Sequence, residues 1–166
     1  ASPKHADAWR SMGERIALTP AQREMLSGFT RHMRVLVVSG TWCGDCALQG
    51  SGIARIAEAN PCIDLRFVPK SDEHADLLVP ARINGGFRVP VTWFLAEDFE
   101  FVSVFGDRTL SRYRSMAQKA LGQQANVISP PPVDPVRSVL DEMLLEFERV
   151  HLLLRLSGRL REKHRD

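Results

Sequence analysis

Apolar residues in the first third of the chain change their period, and the change marks the elements. Ala8, Trp9, Met12 and Ile16 fall roughly on one side of a helix over residues 5–18. Thr19-Pro20 supplies a cap and a proline at the first helical position, which opens a second helix running to about His32. Val35 to Val38 is a short unbroken apolar run, the pattern of a strand buried on both faces. Residues 44–59 return to a helical period, with Leu48, Ile53, Ile56 and Ala57 inward; Gly50 and Gly52 weaken that helix near its start, and Asn60-Pro61 stops it. Residues 63–67 alternate apolar and polar as a half-solvated strand does. Ser71 can cap a helix through Leu78, and a loop with Gly85-Gly86 follows. Val91 to Leu95 and Phe101 to Phe105 form a strand pair around the turn Glu97-Asp98, and residues 109–121 read as a helix.

The order strand, helix, strand, helix, hairpin, helix predicts an α/β fold. Its first two strands are parallel neighbours and its hairpin is antiparallel, giving a four-stranded mixed sheet flanked by helices. Residues 129–135, Ser-Pro-Pro-Pro-Val-Asp-Pro, are a stiff break. Beyond it Val136, Leu140, Met143, Phe147, Val150 and Leu154 recur at helical spacing. The predicted organisation is a domain at 1–128 with a helical N-terminal extension at 1–33, a linker at 129–135 and an amphipathic C-terminal helix at 136–166. The stripe on that helix either packs back on the domain or pairs with a second copy as a homodimer, and the proline break favours the homodimer.

Composition narrows the partners. The 166 residues carry a formal charge of only +2, so no basic field points to nucleic acid. No apolar run is long enough to span a bilayer; Leu152-Leu153-Leu154 is bounded by Arg149 and Arg155. Ala1 to His5 has no hydrophobic signal core, and an odd count of three cysteines suits a reducing compartment, so cytoplasm is expected.

The chemistry gathers at Ser39-Gly-Thr-Trp-Cys-Gly-Asp-Cys46, between the buried strand and the helix. A C-x-x-C in that place reads as a redox pair. A cysteine at a helix N-terminus faces unpaired N–H groups and the positive end of the dipole, which favour thiolate. Cys46, nearly one turn on, comes up on the same side. Cys43 then attacks a disulfide and Cys46 resolves the mixed disulfide. A structural metal would need four ligands, and only Cys62 and scattered histidines such as His32 and His74 are on offer, so neither metal nor cofactor is expected. Cys62 reads as a small packed hydrophobe.

Trp42-Cys43-Gly44-Asp45-Cys46 resembles the W-C-G-x-C active site of thioredoxin-like proteins, and Val89-Pro90, directly before the hairpin, resembles that family's cis-proline loop. The resemblance covers residues 34–121 and implies a thioredoxin-like fold, here with two extra N-terminal helices and a C-terminal helical extension. It implies a thiol–disulfide oxidoreductase acting as a reductant, with Cys43 as nucleophile. Trp42, Gly44, Asp45, Val89 and Pro90 would form the surface on which disulfide-containing protein substrates dock, and an unidentified electron donor would restore the dithiol. The rival expectation is a redox-inactive module working through its C-terminal helix. Two positions depart from the family pattern. Asp45 stands where thioredoxin usually has proline, and Val37 where it has a buried aspartate, so the usual proton relay to the resolving cysteine is missing. Either Asp45 or water takes over that relay, or Asp45 is a solvated first-turn acid; in the solvent-facing motif its charge is expected to repel the Cys43 thiolate.

Overall fold

Strand β1 (Met33–Ser39) is the axis of the molecule. It pairs in parallel with β2 (Ile63–Pro69) and antiparallel with β3 (Val91–Ala96), and β3 pairs antiparallel with β4 (Phe101–Gly106). The order β2-β1-β3-β4 is the mixed sheet expected from the chain order. It puts β1 in the interior, which is why Val35, Val37 and Val38 have almost no solvent contact. The structure is a computed structural model that describes residues 2–127 and 129–166; residue 1 and residue 128, the two ends of the domain marked out in the sequence, lie outside the described residues.

Two helices precede β1, and both are shorter than their periodicity suggests. Helix α1 (Pro3–Arg15) stops early because Ile16 and Leu18 are buried from the segment that leads into the Thr19 cap. Helix α2 (Pro20–Ser27) starts on a capping box, with Thr19 and Gln22 each accepting from the other's backbone N–H. It ends before His32 because Asn60 Nδ2 donates to the carbonyls of Leu26 and Phe29, at 2.6 and 2.9 Å. Asn60 therefore ends one helix and holds the end of another.

Helix α3 (Gly44–Glu58) follows β1, and Gly50 serves its packing. A Cβ there would lie 2.7 Å from the Trp9 ring and 3.2 Å from Phe67, so the absent side chain lets α1 approach. The predicted helix over 71–78 is a single 3-10 turn (Asp72–His74) followed by α4 (Ala75–Leu78), because Ser71 makes no side-chain cap and Pro80 follows closely. Between α4 and β3, Asn84 and Gly85 both have positive φ and form a tight two-residue turn, closed by hydrogen bonds between Ile83 and Gly86. Helix α5 (Leu110–Leu121) comes after β4, and a 3-10 turn (Gly122–Val127) ends the first part of the chain.

The C-terminal segment is two helices, a correction to the single one expected. Helix α6 (Pro135–Leu156) and α7 (Gly158–His164) meet at Ser157, whose extended backbone ends the first while its hydroxyl accepts from the Leu160 N–H to start the second. The stripe on α6 packs on its own domain: Leu140, Met143, Phe147, Val150 and Leu154 are buried with Ile53, Ile56 and Phe94, and Val136 packs against them. Phe147 stands edge-on to Phe94 at 5.1 Å. The apolar surface that a homodimer through this stripe would need is thus occupied within one chain. Helix α7 turns back to the β3–β4 turn, where Lys163 and His164 pair with Glu97 at 2.5 and 2.9 Å. Among the described residues no helix is long and apolar enough to cross a membrane.

Candidate active site at the start of helix α3

Cys43 is the N-cap of α3, in extended backbone conformation, and its sulfur accepts from the Cys46 N–H at 3.4 Å. The Val89 carbonyl lies 3.7 Å from the same sulfur and can accept from the thiol. Cys46 is fully buried, and its sulfur accepts from the Gly40 N–H at 3.3 Å. All three cysteines are free, so the pair is in the dithiol form.

The two thiols are driven apart in acidity. The Cys46 side chain, donating toward the Cys43 sulfur, is the main reason the Cys43 pKa is held down to about 6; the backbone N–H groups of Cys46 and Asp45 add to this, while burial and the Asp45 carboxylate oppose it. Cys46 is pushed well up, chiefly by that same hydrogen bond and then by burial. At neutral pH Cys43 carries the negative charge and Cys46 keeps the proton.

The remaining predicted residues take different places around this pair. Trp42 stands out at 60% exposure and leans on Gly40, where a Cβ would come within 2.8 Å of the indole. Gly44 is exposed with nothing near it. Val89 and Pro90 are buried behind the site, joined by a cis peptide bond. Val37, where the family aspartate would stand, is fully buried in apolar surroundings. The Ser39 hydroxyl is buried beside Cys46 and has no other hydrogen-bond partner among the described residues.

Asp45 corrects the expectation of a solvent-facing acid. It is buried, and its carboxylate accepts from Arg108 Nε at 2.6 Å and Arg112 Nε at 2.5 Å. Arg108 also reaches Asp107 at 2.6 Å, and Arg88 reaches the same carboxylate at 3.3 Å. Tyr113 donates to Asp107 as well. Burial opposes the Asp107 charge, yet these donors prevail and hold its pKa below the usual carboxylate range. The aspartate between the cysteines thus anchors the start of α3 to α5 through two guanidinium groups. Arg108, Arg112, Asp107 and Arg88 were not singled out in the sequence. The available signal was the pair Arg108 and Arg112, one just before the Thr109 cap and one in the first turn of α5, in a chain with an unexplained acid at the redox motif.

A family model described as "Thioredoxin" matches residues 1–120. The chain belongs to the thioredoxin family. The match includes the two N-terminal helices as well as the sheet and the cysteine pair. No curated protein sequence matches the chain. Among solved structures it is similar to a 1.5 Å crystal structure of PA1234, a protein of unknown function from Pseudomonas aeruginosa. There the TM-score is 0.68 at 18% identity, over 93% of this chain and 86% of that one. It is also similar to an HIV epitope-scaffold, with a TM-score of 0.60 and 19% identity over 89% and 87% of the two chains. Both likenesses concern the fold, and both extend past the helix following β4 to the C-terminal segment.

Proposed function

We propose that the protein is a thiol–disulfide oxidoreductase that reduces disulfides through Cys43 and Cys46. The observation that carries this reading is the pair itself. A part-exposed N-cap thiol with its pKa near 6 sits against a buried thiol that keeps its proton.

The chemistry balances without a cofactor. The Cys43 thiolate attacks one sulfur of the substrate disulfide, that S–S bond breaks, and the other substrate sulfur leaves as a thiolate. As the Cys43 charge disappears into the mixed disulfide, Cys46 loses the partner that kept its proton in place. Its proton passes to the departing thiolate or to water. The Cys46 sulfur then attacks Cys43, the mixed disulfide breaks, and the second substrate thiol is released with a Cys43–Cys46 disulfide left behind. The substrate gains two electrons and the protein loses two, so a thiol or dithiol donor must restore the pair. Trp42 and Gly44 are exposed beside Cys43 and form the surface for a substrate chain, with the Val89 carbonyl against the sulfur; Pro90 follows Val89 in the loop, and Asp45 anchors the helix start. A reducing, cytoplasmic setting suits a protein with free cysteines and this direction of electron flow.

Trapping tests the reading. Cys46→Ser is expected to accumulate covalent complexes with disulfide substrates and Cys43→Ser to form none. Equal trapping by the two variants would contradict the assignment.

A further inference from the structure

A cleft of about 170 Å³ is lined by Cys43, by Trp42 and Phe87, and by the cations Lys70, Arg88 and Arg108. Its charge is uneven. Asp107 at its base is buried and already accepts from Arg88, Arg108 and Tyr113. Asp45, behind Arg108, is likewise taken up by Arg108 and Arg112. Four cations therefore answer two engaged carboxylates. Lys70 has no carboxylate partner among the described residues; its Nζ donates only to the Phe87 carbonyl at 2.6 Å, which ties it to the rim. Asp72 lines a neighbouring hollow that shares Trp42, Lys70 and Phe87 with this cleft.

Such a cleft is large enough for one side chain and too small for a fold. We propose that it is a subsite for a carboxylate carried next to the sulfur that Cys43 attacks, so that the preferred substrates are disulfides with an acidic group adjoining the reacting cysteine. The proposal rests on the oxidoreductase reading above and adds a substrate class to it. Lys70 and Arg88 would receive the carboxylate by charge-assisted hydrogen bonds, while Trp42 and Phe87 would cover the adjoining hydrocarbon. The carboxylate changes no bond in the reaction; it positions the disulfide over the thiolate. The same chemistry is offered by an Asp or Glu beside a peptide cysteine and by the carboxylates of a small thiol such as glutathione.

A single-turnover measurement separates these. The full-length protein, reduced and then freed of reductant, is mixed with the disulfide dimer of capped Gly-Cys-Glu-Gly or Gly-Cys-Gln-Gly, and released peptide thiol is followed by chromatography. The acidic dimer is expected to react about five- to tenfold faster, the upper end for an ion pair that solvent still reaches, since Lys70 is exposed and Arg88 partly so. The ratio should shrink at high salt. Arg88→Gln should bring it toward one, and Lys70→Glu, at an exposed position, should push it below one. A parallel arm compares oxidised glutathione with its ester, in which the carboxylates are capped. Preference for acid in the peptide arm alone assigns the subsite to protein substrates, and in the glutathione arm alone to small thiols. Equal rates in both arms, or a preference that both variants retain, would overturn the subsite while leaving the oxidoreductase intact. No reduction of any of the disulfides would overturn both.

Discussion

Helices α5 and α6 are attached to the same domain by opposite means. Helix α6 buries eight side chains, among them Leu140, Met143, Phe147 and Leu154. Helix α5 buries only Ser111. What holds α5 is polar: Glu142 on α6 accepts from the N–H groups of Leu110 and Ser111 at 2.7 and 2.8 Å, and Arg112 grips Asp45 on α3. Apolar burial is non-directional and tolerates small displacements, whereas hydrogen-bonded charge fixes position. The helix far from the chemistry supplies stability, and the helix beside it supplies alignment.

The difference can be broken from either side. The largest effect is expected from Phe147→Ala, which removes a fully buried ring from the junction of α6 with Phe94. It should destabilise the fold by about 3–5 kcal/mol, read from denaturant unfolding. Asp45→Asn should cost less, about 1–3 kcal/mol, because its arginine partners keep part of their water. Its mark should be local, with amide exchange speeding up in α5 and not in α6. The pKa of Cys43 should fall only slightly, since direct repulsion from Asp45 is the last-ranked of the influences on that thiol. Glu142→Gln comes next. It keeps the acceptor at the α5 N-terminus but removes its charge, for a loss of about 0.5–1 kcal/mol that shrinks at high salt.

The smallest effect lies in the α6 interface. His151 is buried against Phe29 at 4.3 Å, and its Nε2 accepts from the Thr30 N–H. Burial, with Arg155 and Arg31 nearby, lowers its pKa from the ordinary 6.5. The folded protein therefore holds fewer protons at this site than the unfolded chain does. Stability from it is complete above pH 6.5 and declines as the pH falls through that value. Cys43, lowered from 9 to about 6, contributes in the same direction as the pH falls from 9 to 6 and so overlaps the upper half of the window from pH 7 to 5, which is why the comparison needs the variant. His151→Gln should flatten the slope of unfolding free energy between pH 7 and 5 relative to the unaltered chain; an unchanged slope would assign it to other groups.

Much of this was legible along the chain because it is local. The strands, the hairpin, the cap at Thr19 and the redox pair are each written within a few residues. The Val35–Val38 run could be placed inside the sheet because only an interior strand hides consecutive apolar side chains. Contacts between distant segments were not legible. Asp45 was read as a solvated first-turn acid because its arginines are more than sixty residues away, and nothing at position 45 announces them. Gly50 was read as a weak point in a helix because the Trp9 ring that fills its space belongs to another element. The α6 stripe showed that an apolar partner was needed without saying which, and its own core proved to be that partner. The break at Ser157 was missed because Leu160 continues the apolar content past it.

The central claim is that Cys43 is a thiolate at neutral pH while Cys46 holds its proton. Its most direct test is the alkylation rate of the reduced protein with iodoacetamide as a function of pH, with the modified residue located by peptide mapping. The account predicts that modification goes first to Cys43, at a rate that climbs with pH around a midpoint near 6 and levels off by neutrality. A midpoint near 9, or earlier modification of Cys46, would contradict it.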